Sequence, residues 1–176
     1  MTALLVAITF AWDAPKADHR NSLEMAIKAA FLSKFQLYVT WPDRAYASSS
    51  SPFNLCIVGD DVFAALVERA ASGQSVADHA ITVLRLRSPS AADLCKIMYV
   101  ATDDPHLAHQ QLAAVDGLPV LTVTDELRLE SGKGVINFVI AADRVRFEID
   151  NAMAVRNGLT ISSKLLSLAV AVKPAP

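Results

Sequence analysis

Residues 134–169 read GVINFVIAADRVRFEIDNAMAVRNGLTISSKLLSLA, and their patterning decides the fold. An apolar run from Val135 to Ile140 reaches a polar break at Ala141-Ala142-Asp143. An alternating run follows, with Arg144, Arg146 and Glu148 set between Val145, Phe147 and Ile149. Two strands of different pattern joined this tightly predict a hairpin at a sheet edge over Gly134 to Ile149. Two helix-like pieces come next, separated by Asn157-Gly158. The segment contains no nucleophile–base pair and no metal-ligand spacing. Its chemistry is that of packing, which pulls the reading away from an enzyme.

Upstream, strand and helix patterns alternate. Phe53–Val58, His79–Leu86, Cys95–Ala101 and Pro119–Thr124 read as strands. Helices are expected at about 61–71 and about 105–115, the second with Pro105 at its first position, and a short one at Pro89–Leu94. Asn21-Ser22-Leu23-Glu24 has the form of a capping box. It would open an amphipathic helix of about 22–39, with the stripe Leu23, Ile27, Phe31, Phe35 and Tyr38. Ser162-Ser163 would cap a last helix of about 163–171. Alternation of this kind predicts one Rossmann-like α/β domain: a mostly parallel sheet, helices on both faces and a C-terminal edge hairpin. The unbroken apolar strands at 53–58 and 96–101 belong to a sheet covered on both sides.

The chain has 176 residues, 53% hydrophobic and 19% charged, with a net charge of −2. That is too apolar for disorder. It also lacks the Lys/Arg clustering of a nucleic-acid binder. The N-terminal run Thr2 to Trp12 has the length of a signal-peptide core but no preceding Lys or Arg. It is too short to span a bilayer, which takes about 20 residues. Residues 1–20 are therefore expected to be a signal-peptide remnant or flexible N-terminus, a short anchor and a first strand being the other readings. The α/β domain is expected to occupy residues 21–172.

Candidate chemistry is sparse. Asp60-Asp61 follows the first strand and Asp103-Asp104 the third, so both pairs fall at the carboxyl edge where doubly wound sheets bind ligands. Four carboxylates there could hold a hard cation. The competing role for Asp at these positions is helix N-capping. His106 and His109 have metal-ligand spacing but only two ligands. No Walker loop, G-x-G-x-x-G or nucleophile elbow is present, and no cofactor is implied. Arg144, Arg146 and Lys164 could bind an anion or pair with an acidic partner, or be the solvated face of an edge strand. Cys56 and Cys95 read either as two buried thiols or as one disulfide. A doubly wound order makes their strands neighbours and favours the bridge, whose loop would contribute about 4 kcal/mol in the chain-entropy model.

Three blocks resemble the YfiR-like family. The first is Lys28-Ala29-Ala30-Phe31-Leu32 with Phe35 and Tyr38-Val39-Thr40-Trp41-Pro42. The second is Phe53-Asn54-Leu55-Cys56-Ile57-Val58-Gly59-Asp60-Asp61 with Cys95. The third is Gly134-Val135-Ile136-Asn137-Phe138, Arg144-Val145-Arg146-Phe147-Glu148-Ile149 and Gly158-Leu159-Thr160-Ile161-Ser162-Ser163-Lys164-Leu165-Leu166. The resemblance implies a non-enzymatic periplasmic repressor, often a homodimer. It would bind the periplasmic part of a membrane diguanylate cyclase and so control cyclic di-GMP and biofilm formation. It matches Cys56 and Cys95 to the family's cysteines and implies tuning by redox state. A second cysteine pair carried by some relatives is absent here, Asp150 stands in place of Asn, and Ser33-Lys34 replaces a more typical Tyr-Asn. Arg146, Glu148 and Lys164, the charges expected to face outward, are the candidate partner-binding residues.

Overall fold

The computed structural model describes residues 16–48, 50–89, 95–126 and 132–175. The N-terminal run and most of the helix expected at Pro89–Leu94 lie outside these residues. The chain runs α1 (Lys16–Leu32), β1 (Val39–Thr40), β2 (Phe53–Val58), α2 (Asp61–Ala71), β3 (Ser75–Val76), β4 (His79–Leu86), β5 (Ile97–Val100) and α3 (Pro105–Ala113). It continues through β6 (Leu121–Asp125), β7 (Ile136–Ala141), β8 (Arg144–Asp150), α4 (Asn151–Arg156), β9 (Thr160–Ile161), α5 (Ser163–Leu166) and β10 (Ala171–Lys173).

Eight strands form the central sheet in the order β10-β8-β7-β6-β5-β2-β4-β3. The pairs β2–β4, β2–β5, β5–β6 and β6–β7 are parallel, and β7–β8 is antiparallel. This is the doubly wound α/β architecture with its hairpin. All four residues of β5 are buried, as a strand covered on both faces requires. In β8 burial alternates, with Val145, Phe147 and Ile149 inward. The hairpin turn places Ala142 and Asp143 at positive φ (50° and 56°), the backbone that a two-residue primed turn demands.

Three elements depart from the sequence expectation. The first helix spans 16–32, not 22–39, so the Asn21 box lies inside it. Glu24 reaches forward to Lys28 instead of back to the helix start. Beyond Leu32 the chain tightens into a 3₁₀ turn at Phe35–Leu37. β-branched Val39 and Thr40 then pair with Ile161 and Thr160. Second, the last helix is only four residues long. Ser162 does cap it, accepting from Leu165 N at 3.3 Å, but Val170 N donates to Phe147 O and the chain enters the sheet as β10. Third, and as a result, the hairpin is not the sheet edge: β10 pairs in parallel with Glu148–Asp150. The unpaired N–H and C=O groups of β8 supply the pull, since an open edge accepts any chain that can reach it.

The core has two parts. One packs α1 and α2 on one face, around Phe35, Phe53, Phe63, Phe138 and Phe147. The other lies beneath α3 and contains Cys56, Cys95, Val58, Met98, Ala108 and Val115.

Candidate functional site

At the carboxyl edge, a cleft of about 420 Å³ opens between β2 and β5, where the strand order reverses. Asp60, Tyr99, Asp103, Asp125 and Glu126 line it. Of the four carboxylates singled out in the sequence, two are in this lining and two are not. Asp60 caps α2, accepting from Phe63 N at 2.8 Å. Asp104 caps α3, accepting from His106 N at 2.8 Å. Asp61 sits exposed in the first turn of α2. Among the described residues no group of three or more His, Cys, Asp or Glu is placed to hold a metal ion.

Sequence reasoning missed the other carboxylates of this cleft, because their partner comes from α1. Lys28 is buried, and its Nζ meets Asp125 Oδ1 at 2.7 Å, Glu24 Oε1 at 2.5 Å and Glu126 Oε1 at 3.2 Å. Tyr99 Oη donates to Asp125 Oδ2 at 2.9 Å. Burial alone would lower the Lys28 pKa. The hydrogen bonds and charges of Asp125 and Glu24 outweigh it and hold that pKa above the ordinary value. Burial, reinforced by the Asp125 charge, pushes the Tyr99 phenol far up. The clasp fixes α1 to the end of β6. It also sets the helix rotation: Lys28, Ala29 and Leu32 face inward, while Leu23 and Ile27 are left 62% and 37% exposed. The only hint in the sequence was a lysine beside Ala29 and Leu32 on what became the buried face.

The three candidate partner-binding residues do not converge. Arg146 lines a groove of about 320 Å³ between α1 and the hairpin. Glu148 is paired with Lys133 at 2.8 Å and faces a separate cavity of about 250 Å³ toward β10. Lys164 is exposed on α5 and lines neither.

Cys56 and Cys95 form a disulfide with a Cα–Cα distance of 5.8 Å, both residues at most 1% exposed. It ties the middle of β2 to the entrance of β5. At that entrance Trp41 Nε1 donates to Lys96 O at 3.1 Å, which anchors the Trp41-Pro42 turn to the sheet. The Lys96 ammonium, its pKa lowered by burial, lies 5.4 Å from the Tyr46 ring centroid.

The domain is thus a doubly wound α/β sheet stapled by a buried disulfide, in which Asp60 and Asp104 cap helices and Glu24, Asp125 and Glu126 clasp Lys28. The profile of the YfiR/HmsC-like family matches residues 25–170, and the chain belongs to that family. The family is one of periplasmic, non-catalytic regulatory proteins associated with membrane diguanylate cyclases. Among the described residues no helix is long and apolar enough to cross a membrane.

Proposed function

We propose that this chain is a periplasmic repressor that holds an inner-membrane diguanylate cyclase inactive by direct protein–protein contact, and so controls cyclic di-GMP and biofilm formation. The observation that carries the reading is family membership across residues 25–170. Two features of the molecule support it. Asp60 and Asp104 are occupied in helix capping. The disulfide crosses the centre of the sheet in a chain that would work where thiols oxidise. The bridge links this regulator to the redox state of its compartment, because losing it loosens the strand pair around which the sheet is built.

Affinity capture of the chain from native membranes tests the contact, and cyclic di-GMP measured after deletion of its gene tests the consequence. A membrane cyclase is expected in the capture and a raised nucleotide level in the deletion strain. Recovery of no membrane partner, together with an unchanged level, would sink it. For the bridge, the unreduced protein should weigh about two daltons less than its dithiol form, one hydrogen being lost from each thiol. Two free thiols in periplasmic material would refute the oxidised state.

A further inference from the structure

We propose that the groove between α1 and the β7–β8 hairpin is the docking site for an amphipathic helix of a partner protein, one with an apolar face and a flank of acidic side chains. The proposal rests on the protein–protein reading above and specifies the chemistry of its contact. Leu23, Ile27 and Phe31 stand at four-residue steps on α1 and line one wall. Ile140 and Val145 line the other. Leu23, Ile27 and Ile140 are 62%, 37% and 42% exposed, so three large apolar side chains open onto one groove. At its floor Phe31 is half-buried, with ring centroids 5.7 Å from Phe147 and 6.3 Å from both Phe35 and Phe138.

The length and shape of the groove suit a helix. Positions 23 to 31 span about 12 Å of α1, roughly two turns, which is the reach of an i, i+4, i+7 set of anchors laid alongside. The wall is already rigid, because the Lys28 clasp fixes α1 from behind, and a pre-ordered wall lowers the entropic cost of docking.

Charge selects the partner. Arg144 and Arg146 line the groove, and among the described residues neither side chain makes a hydrogen bond or ion pair. The carboxylates of the lining are Glu24 and Asp143. Glu24 is held by Lys28, and Asp143 is not free either. Among the described residues the charge left uncompensated is therefore cationic, and two guanidiniums beside an apolar trough match acidic side chains flanking an apolar helical face.

The experiment places a photo-reactive benzophenone amino acid at position 23 or 27 of the full chain in its native host. Positions 62 and 168, both exposed apolar sites away from the groove lining, serve as controls. The expected adducts arise from 23 and 27 and map to a partner segment of helical apolar periodicity with net acidic charge. That segment, synthesised as a labelled peptide, should bind the isolated chain. Its affinity should fall at least tenfold with the Arg144→Glu/Arg146→Glu double variant and at least tenfold with Leu23→Glu, each variant melting within a few degrees of the parent. Adducts only to a second copy of this chain, adducts only to lipid, a basic segment, or an affinity unmoved by the arginine reversals would each overturn the assignment. Cyclase adducts from position 168 with none from 23 or 27 would overturn the groove and leave the repressor reading standing. Unchanged cyclic di-GMP on deletion would strike that reading instead.

Discussion

Lys28 is the residue on which the position of α1 depends. Its side chain is 4% exposed, while the carboxylates around it keep 23%, 24% and 54% of their exposure. Removing one partner of a fully buried pair costs about 3–5 kcal/mol, and the partly solvated carboxylates reduce that, so Lys28→Met should cost about 2–3 kcal/mol by chemical denaturation. The alkaline limb of stability carries the same signature. Lys28 has a folded pKa above its ordinary 10.5 and Tyr99 one above its ordinary 10.0. Below those values both groups are protonated in either state, and their contribution is intact. Above them the unfolded chain gives up protons that the folded chain keeps, so stability falls as pH rises. Lys96, with its pKa lowered by burial, works in the opposite sense and gains stability as pH climbs toward 10.5. Stability measured from pH 9 to 11.5 should therefore fall less steeply in Lys28→Met than in the parent; equal slopes would place the alkaline loss elsewhere. Ala142 offers a gain. It holds φ at 50° without the local hydrogen bonding that makes this region comfortable for Asn. Ala142→Asn should stabilise by about 0.5–1 kcal/mol, raising the melting temperature by about 1–3 °C.

Among the elements, β10 is the one that the hairpin reading left out, and Asp150 is the joint that secures it. Its carboxylate accepts from Met153 N at 2.7 Å, capping α4, and from Lys173 Nζ at 3.0 Å on β10. Asp150→Ala should cost about 1–2 kcal/mol, within the range of a lost N-cap. It should also speed amide exchange at Ala171–Lys173 more than at the β7–β8 register; protection unchanged at β10 would mean that backbone pairing alone holds it. The elements that could be read from the chain are those whose pattern is local. Val145, Phe147 and Ile149 alternate and did form the inward face of β8. Asp60 and Asp104 followed strands and did cap helices. What stayed hidden was set by distant partners. The face that α1 buries was chosen by Asp125 and Glu126, a strand end far along the chain, against the stripe that begins at Leu23 and Ile27. The last helix stopped at Leu166 because the open edge of β8 captured the chain after Val170, a competition that no window around Ser162 contains. The groove was half legible: Arg144 and Arg146 stood out as charges for an acidic partner, and Leu23, Ile27 and Phe31 as a helix stripe, but nothing local to either segment brings the two together.

For the whole molecule, the disulfide and the regulatory role belong together. Closing the loop between Cys56 and Cys95, 39 residues apart, contributes about 4 kcal/mol in the chain-entropy model. Reduction should therefore lower the melting temperature by roughly 10 °C, and a shift under about 2 °C would remove the bridge from any account of stability. The sheet around it opens clefts at separate places: one spent on the Lys28 clasp, one under β10, and an apolar groove with two arginines that pair with no other side chain among the described residues. The groove combines three exposed large apolar side chains with two arginines whose side chains pair with no described residue. Cyclic di-GMP levels in a strain lacking the gene, complemented with the parent or with Leu23→Glu, test whether this protein restrains a membrane diguanylate cyclase. A raised level is expected in the deletion strain, with return to the original level on adding back the parent and no return with Leu23→Glu. A level that does not move on deletion would contradict that restraint.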